Sequence, residues 1–451
     1  MVVSVTADRF VKKGLYRPHV PEGLRAMNLA VLDFVDFIII DSNLKPLKML
    51  SSLRPDFYAK GFEYSQVNKF SATKEELKLL KKIGSKMIFT PGDVIYSSTK
   101  ILNKEQPHLK YEKLSDLIKK NKTTIDDIIE LLNKIKKIKV HVIGDTIVDT
   151  FTYGSHIGGQ TKTPTLSIKY LHEKSFAGGA AVVARHLRKA GATVTFTSII
   201  GDDYFGRFVK SRLRRDKIKF NLISENNRPT TNKNIIISSD HKLLKLDKVD
   251  NSIIADSSIQ KIINYIKKTK SDIVIFSDFR HGIFNQSNIQ SLIKAVPKKT
   301  IKIADSQVAS RWGNISEFKN FDIITPNERE ARFSIGSQDS SVGYLATAVL
   351  KNSKSKNIIL KLSEKGILGL DNKNNYFSID SFCKNLKDAV GAGDALLAYS
   401  SLIYFLSKSL FKSAFIGNLA AACECEKEGN IPVEVNEIKE KLIEIKNKIN
   451  F

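Results

Sequence analysis

Asp388-Ala389-Val390-Gly391-Ala392-Gly393-Asp394 is the stretch on which the reading of this 451-residue chain turns. Ala395-Leu396-Leu397-Ala398-Tyr399 follows it, a run that favours helix. Glycines just before a helix let backbone N–H groups converge on an anion, and the helix dipole adds to the attraction. A developing phosphoryl charge needs such a preorganised cradle. Asp394 then stands at the lip of the helix, where a carboxylate can accept the proton of an attacking hydroxyl. Taken alone, a glycine turn of this kind is more often a helix cap with a solvated aspartate.

The sequence before this stretch alternates between strand-like and helical patterns. Apolar runs at Val140–Ile143, Thr193–Ile200, Asp272–Phe276, Thr300–Ala304 and Asn357–Leu362 are separated by amphipathic stretches near Ala180–Ala190, Ser257–Lys268 and Gly343–Lys351. That order predicts an α/β unit with a mostly parallel sheet covered on both faces, and ligands at the carboxyl ends of its strands. Thr165–Tyr170, Lys233–Ser238 and Lys242–Asp247 alternate polar and apolar residues and suit a small antiparallel lid. Further upstream, residues 103–138 are polar and Lys-rich, with Leu114, Leu117, Ile118, Ile125, Ile128, Ile129 and Leu132 at helical spacing. They read as a helical linker. Residues 1–102 form another α/β pattern, with short apolar strands at Val2–Val5, Phe37–Ile40 and Lys86–Phe89. Two domains joined by a linker suit the chain length.

Lys and Arg number 72 against 47 Asp and Glu, a formal charge of +25. Such a balance attracts anions, but Lys is spread along the chain and no nucleic-acid-reading motif accompanies it, so nucleic acid is not expected as a partner. Cys383, Cys423 and Cys425 form no C-x-x-C pair and point to a reducing cytoplasm rather than to a disulfide scaffold or a zinc site. His172, His186 and His241 lack metal-ligand spacing. No apolar run approaches the ~20 residues of a membrane span, and Met1–Lys13 has no signal-peptide layout.

D-x-x-G-A-G-D followed by an apolar helix resembles the C-terminal signature of the PfkB/ribokinase family of carbohydrate kinases. Ala177-Gly178-Gly179-Ala180-Ala181 and the helix after it resemble that family's sugar-contacting G-G helix. Gly201-Asp202-Asp203-Tyr204-Phe205-Gly206 fits its G-x-D-x-x-G, and Asn327-Glu328-Arg329-Glu330 follows Thr325-Pro326 in family order. The resemblance covers residues 139–451. It implies a ribokinase-like fold, ATP and Mg2+, and often a homodimer formed through the lid. Residue by residue, it implies Asp394 as catalytic base and the backbone of Gly391, Ala392 and Gly393 as anion hole. Asn327 and Glu330 would place magnesium through water, as suits a hard cation that keeps its hydration. Lys361-Leu362-Ser363-Glu364-Lys365-Gly366 matches the nucleotide-contacting T-x-G-x-x-G, with Lys361 and Ser363 departing from it. Asn418 falls in the helix expected near the adenine.

At the sugar end, Gly144-Asp145-Thr146-Ile147-Val148-Asp149 closes the first strand of this unit. Carboxylates there can accept hydrogen bonds from sugar hydroxyls, although a capping Asp is the commoner role for either residue. The wider G-D-x-x-x-D-x-x-x-x-G, together with Arg228-Pro229-Thr230-Thr231-Asn232-Lys233 and Leu244-Lys245-Leu246-Asp247, is similar to the kinase half of the bifunctional heptose-7-phosphate kinase/heptose-1-phosphate adenylyltransferases. Asp145, Asp149, Gly178 and Gly179 would then contact the sugar, and Lys233 its phosphate. Val182, His281 and Asp305-Ser306-Gln307 depart from the pattern, which usually has Asn, Lys and D-P-K there. His281 is expected to be structural or solvated, not a base.

Residues 1–102 resemble the later half of a cytidylyltransferase-like, Rossmann-type nucleotidyltransferase domain. The matching pieces are Val2–Asp8, Arg17-Pro18, Arg25 with Val35-Asp36, Leu53-Arg54-Pro55-Asp56 with Lys60-Gly61, and Tyr96-Ser97-Ser98-Thr99-Lys100. The H-x-G-H pair that such transferases carry is absent from the sequence. The expectation is therefore a phosphosugar kinase, heptose-like, from nucleotide-sugar, lipopolysaccharide or surface-polysaccharide precursor synthesis, with a partial transferase domain that by itself is inactive. The alternatives are a kinase for another sugar and a non-catalytic sugar- or nucleotide-binding regulator.

Overall fold

The computed structural model describes residues 1–11, 18, 20–61, 71–90, 109–157, 166–239, 241–307 and 314–449. Arg17, the stretch Tyr96–Lys100 and Thr165 lie outside the described residues. The chain divides into two compact units, Met1–Lys113 and Leu114–Phe451.

In the first unit, strands β1 (Val2–Thr6) and β2 (Phe37–Asp41) pair in parallel, as do β3 (Phe57–Gly61) and β4 (Lys86–Thr90). The helix Glu22–Ala30 links the first pair. Arg25 fastens its start to the sheet, with Nη2 donating to Thr6 O at 2.7 Å and to Asp8 Oδ1 at 2.6 Å. Asp36 pairs with the amine of Met1.

Most of the helical residues expected in the linker fall in the second unit, whose boundary lies within the helix Leu109–Lys120. Thr124 and Asp127 close a capping box on the helix Ile125–Asn133, which satisfies two of its free N–H groups. Ile128, Leu132 and Ile135 are buried, so the apolar stripe that marked this segment serves a core.

Strand β5 (Lys139–Gly144) lies inside a nine-stranded sheet of order β17-β16-β15-β14-β13-β12-β5-β8-β9. It pairs in parallel with β8 (Thr193–Ile200) and β12 (Ile273–Asp278), and the parallel pairing continues to β9 (Lys219–Ser224) on one side and to β13 (Ile301–Ser306), β14 (Ile323–Ile324) and β15 (Asn357–Lys361) on the other. β16 (Ile367–Asp371) and β17 (Tyr376–Ile379) add an antiparallel edge. β5, β12 and β13 are almost wholly buried, and in β12 this shows as the unbroken apolar run Ile273–Phe276. Helices cover the sheet with matched apolar faces. In Asp256–Lys268 the buried residues Ile259, Ile262, Ile263 and Ile266 recur at helical spacing. Ala392–Ser407 and Leu410–Cys425 pack together and are buried along most of their length.

A second sheet of four strands, β11-β10-β6-β7, forms the lid. β10 (Thr231–Ser238) and β11 (His241–Lys248) include the expected lid segments Lys233–Ser238 and Lys242–Asp247, and β7 (Ile168–Gly179) takes in Ile168–Tyr170 of the third. The fourth strand, β6 (Thr146–His156), was not expected, and because it pairs with β10 in parallel the lid is mixed instead of antiparallel. Only Asp145 separates β5 from β6, so the chain passes from the central sheet into the lid at that residue.

Candidate active site

The turn Asp388–Gly391 and the helix Ala392–Ser407 sit where the carboxyl ends of the parallel strands point. Gly391 is the residue before the helix and has φ 87°, a left-handed conformation that disfavours any side chain. A Cβ there would also stand 2.5 Å from Asn430 Oδ1. The glycine is thus needed for both its backbone angle and its lack of bulk. The first N–H groups of the following helix have no intrahelical partner and carry the positive end of its dipole.

Asp394 lies in the first turn of that helix and is only 8% exposed. Its Oδ1 is buried without a hydrogen-bond partner. Burial, reinforced by the charge of Asp305, raises its pKa well above the ordinary carboxylate range, and Lys361 acts against that rise. An unpaired buried carboxylate is costly to the fold, and a raised pKa makes it a stronger base.

Asp305, at the end of β13, accepts from Thr325 Oγ1 at 3.0 Å and from Lys361 Nζ at 2.8 Å. Lys361 ends β15, and its ammonium would lie 3.3 Å from a Cβ placed on Gly393. Strands β13 and β15 and the glycine turn therefore bring Asp305, Lys361, Gly393 and Asp394 into one cluster.

Asn327 and Glu330 form a capping box at the start of the helix Glu328–Ile335. Glu330 Oε2 accepts from the Asn327 N–H at 2.7 Å and Oε1 from Asn327 Nδ2 at 2.6 Å. Glu330 is buried, and burial pushes its carboxyl up to about 7 against the pull of Lys361. Both of its oxygens are engaged, so the pair fits a hydrated cation held through water better than one bound directly. Among the described residues no group of three His, Cys, Asp or Glu side chains is arranged to hold a metal ion.

At the sugar end, Asp145 is a hub of the scaffold. Its Oδ2 accepts from the backbone N–H of Phe279 at 2.9 Å and of His281 at 3.2 Å, and Oδ1 from that of Ile283 at 3.4 Å. Asp149 differs. It lies on β6 beside Lys233 of β10, and Oδ2 accepts from Asn430 Nδ2 at 2.7 Å. Burial raises Asp149 to about 6, with Lys233 opposing. A side chain at Gly178 would collide with the Asp149 carboxylate, and Gly179, at φ 59°, turns β7 into the helix Ala180–Lys189. His281 Nδ1 is 2.7 Å from Asn251 Oδ1, its Nε2 is unpartnered, and burial lowers its pKa to about 4, which keeps the ring neutral. A small cavity is lined by Asp145, Thr146, Arg228, Thr231 and His281.

The remaining sequence candidates lie at the turn after β15 and at the segment around Asp380 that it meets. Ser363 and Gly366 bound a short 3-10 turn after β15, with φ 54° and 87°. Asn418 is buried in its helix and donates to the Asp380 carbonyl at 2.9 Å, so it is no ordinary surface residue.

Two residues escaped the sequence reading. Asn430 joins the two ends of the cleft, with Nδ2 on Asp149 and Oδ1 facing the Gly391 turn. Glu424 is fully buried beside the same turn, and its burial raises it to about 8. A lone acid in the apolar run Gly417–Cys425 was the available signal for Glu424. Asn430 carries no comparable signal.

Residues 137–436 match the model of the pfkB family carbohydrate kinases. The chain is 28% identical over 308 residues to the bifunctional protein HldE of Sulfurimonas denitrificans, covering 67% of this chain and 64% of that protein. It is 30% identical over 312 residues to the HldE protein of Aliarcobacter butzleri, covering 68% and 64%. The chain thus spans less than two thirds of the length of these relatives. Among solved structures, phosphofructokinase-2 from Escherichia coli in complex with fructose-6-phosphate aligns with a TM-score of 0.56 at 16% identity, over 69% of this chain and 99% of that one. Ribokinase from Arabidopsis thaliana, complexed with ribose and ATP, aligns with a TM-score of 0.54 at 20% identity, over 68% and 99%. The structural likenesses give the ribokinase-like fold, and the match over residues 137–436 places this chain in the pfkB family of carbohydrate kinases.

Proposed function

We propose that the second unit transfers the γ-phosphoryl group of ATP to a hydroxyl of a sugar phosphate, heptose-like, in the supply of nucleotide-sugar precursors for lipopolysaccharide or surface polysaccharide. The observation that carries this reading is the buried, unpaired carboxylate of Asp394 on the first turn of a helix that opens with a left-handed glycine. Asp394 takes the proton of the attacking hydroxyl. The sugar oxygen bonds to the γ-phosphorus, the bond to the bridging oxygen breaks, and ADP leaves. The backbone N–H groups of Gly391, Ala392 and Gly393 receive the charge on the transferring group.

Magnesium, when bound, neutralises phosphate charge, and Asn327 with Glu330 would hold it through water. Lys361, Ser363, Gly366 and Asn418 form the nucleotide side. Asp149, Gly178 and Gly179 contact the sugar, and Lys233 faces the phosphate it already carries, a charge-assisted contact. Asp145 acts on the sugar through the loop it fixes. The exposed lid strand β11, with Leu243, Leu244 and Leu246 uncovered, suits a second copy of the chain in a homodimer. Among the described residues no helix is long and apolar enough to cross a membrane, and a cytoplasmic enzyme acting on soluble substrates accords with that. The first unit lacks an H-x-G-H pair, and by itself it is proposed not to transfer nucleotide.

The experiment is ADP release by the full chain with ATP, Mg2+ and a panel of phosphorylated and unphosphorylated sugars. Turnover only with phosphorylated sugars, a heptose 7-phosphate foremost, is expected. Turnover with free ribose or fructose instead would move the assignment to another sugar. ATP binding without turnover on any sugar would replace the kinase by a binding regulator.

A further inference from the structure

We infer that Lys361 is a built-in cation of the phosphoryl-transfer centre, contacting the terminal phosphate of the bound nucleotide. The inference rests on the kinase reading above and gives a specific role to a residue whose type departs from the nucleotide-contacting pattern.

The backbone of Lys361 is held from both sides. Its N–H donates to Pro326 O at 2.9 Å, and it bridges in parallel to Asn327. The side chain is thereby aimed from the end of β15 toward the start of the helix Ala392–Ser407. Its Cδ, Cε and Nζ lie 3.7, 4.0 and 3.3 Å from the position of a Cβ on Gly393. The stem thus runs along the anion cradle, and the ammonium stops beside it. The side chain is 15% exposed.

An ammonium has three N–H donors, and one is directed at Asp305 Oδ1, 2.8 Å away. Asp305, Glu330 and Asp394 all act on this charge, and together they outweigh burial and hold Lys361 protonated. A lysine whose only task was to neutralise Asp305 would need no approach to Gly393. That same Asp305 oxygen already accepts from Thr325 Oγ1 at 3.0 Å. The approach puts a fixed positive charge next to the N–H groups that receive the transferring phosphoryl group. There it meets negative charge that increases as the bond to ADP lengthens, the placement in which a cation accelerates phosphoryl transfer. Lys361 forms no covalent bond in this step, and the proton of the sugar hydroxyl still goes to Asp394.

The test uses the full chain with Lys361→Met, Lys361→Thr and Lys361→Arg. Calorimetry without sugar compares ATP, ADP and AMP, and steady-state assays with the accepted sugar give kcat and KM separately. In Lys361→Met the account expects ATP to bind about tenfold more weakly while AMP changes less than about twofold, and kcat to fall about a hundredfold. Lys361→Arg should recover part of both losses. Lys361→Thr, a smaller polar side chain, gives the same contrast should the methionine variant fold poorly. Equal weakening of ATP and AMP, or unchanged ATP binding with retained kcat, would overturn the inference and leave Lys361 as a counter-ion of Asp305. If the wild type binds nucleotides but turns over no sugar, the kinase reading fails, while the ATP-against-AMP contrast still decides the lysine. Failure of the wild type to bind any of the three nucleotides would sink both.

Discussion

The two ends of the cleft use the same side chain in opposite ways. At the phosphate end, Asp394 follows a glycine turn and leaves Oδ1 buried without a partner. At the sugar end, Asp145 also follows a glycine, yet three backbone N–H groups occupy its oxygens. A saturated carboxylate is a structural anchor with little capacity left for a ligand. An unsaturated one costs the fold free energy and remains available for chemistry. Buried polar groups are normally paired; unpartnered atoms occur at both ends, with Glu424 and Asp394 at the glycine turn and His281 Nε2 at the sugar end, and of these Asp394 is the one on the first turn of the glycine-opened helix. Asp149 falls between the two, with Asn430 donating to its Oδ2 and a cation beside it in the next strand.

Apart from Asp394 itself, the contrast is broken most strongly at Gly391. Gly391→Val should lower kcat about a hundredfold in ADP-release assays, because it opposes φ 87° and crowds Asn430. Next comes stability. Asp145→Ala leaves three buried N–H groups without an acceptor and should cost about 2–4 kcal/mol in urea denaturation. If Asp145→Ala proved as stable as the wild type, the anchor assignment would fail. Asp149 gives a smaller effect, and one that depends on pH. Its folded pKa is about 6, above the unfolded value of 3.8, so between these values the fold holds a proton that the unfolded chain has released. Its contribution to stability is therefore present at low pH and is lost as pH rises through about 6. Asp149→Asn should remove that part of the decline in denaturation curves taken from pH 4 to 8. The same variant should raise the KM for the sugar about tenfold above pH 6, where the wild-type carboxylate is charged, and less below it.

Much of the frame was legible before the structure. β12 and β15 were visible as apolar runs because strands buried on both faces need not alternate, while β8 and β13 showed only as strand-like stretches with polar residues among the apolar ones. The turn at Gly391 was visible because only glycine meets its backbone angle. The lid strand β6 was missed, since Thr146–His156 mixes buried and half-exposed residues and follows β5 after a single residue. The linker was legible as helix, but its membership in the second unit was not, because an apolar stripe does not name the surface it will meet. The roles of the two aspartates were the least legible part. Saturation of Asp145 depends on N–H groups 134 to 138 residues away, and Asn430 reaches Asp149 across 281 residues. Local sequence carries no trace of such partners.

The most direct test is made on Asp394→Asn, with ADP release and urea denaturation measured on the same preparation. The account predicts a loss of kcat of about a thousandfold or more, and a protein about 1–2 kcal/mol more stable above neutral pH, because a buried charge whose Oδ1 has no hydrogen-bond partner has been removed. Turnover within a few fold of the wild type would contradict the assignment of Asp394 as the base, and with it the reading of the unpaired carboxylate as the mark of the reacting end.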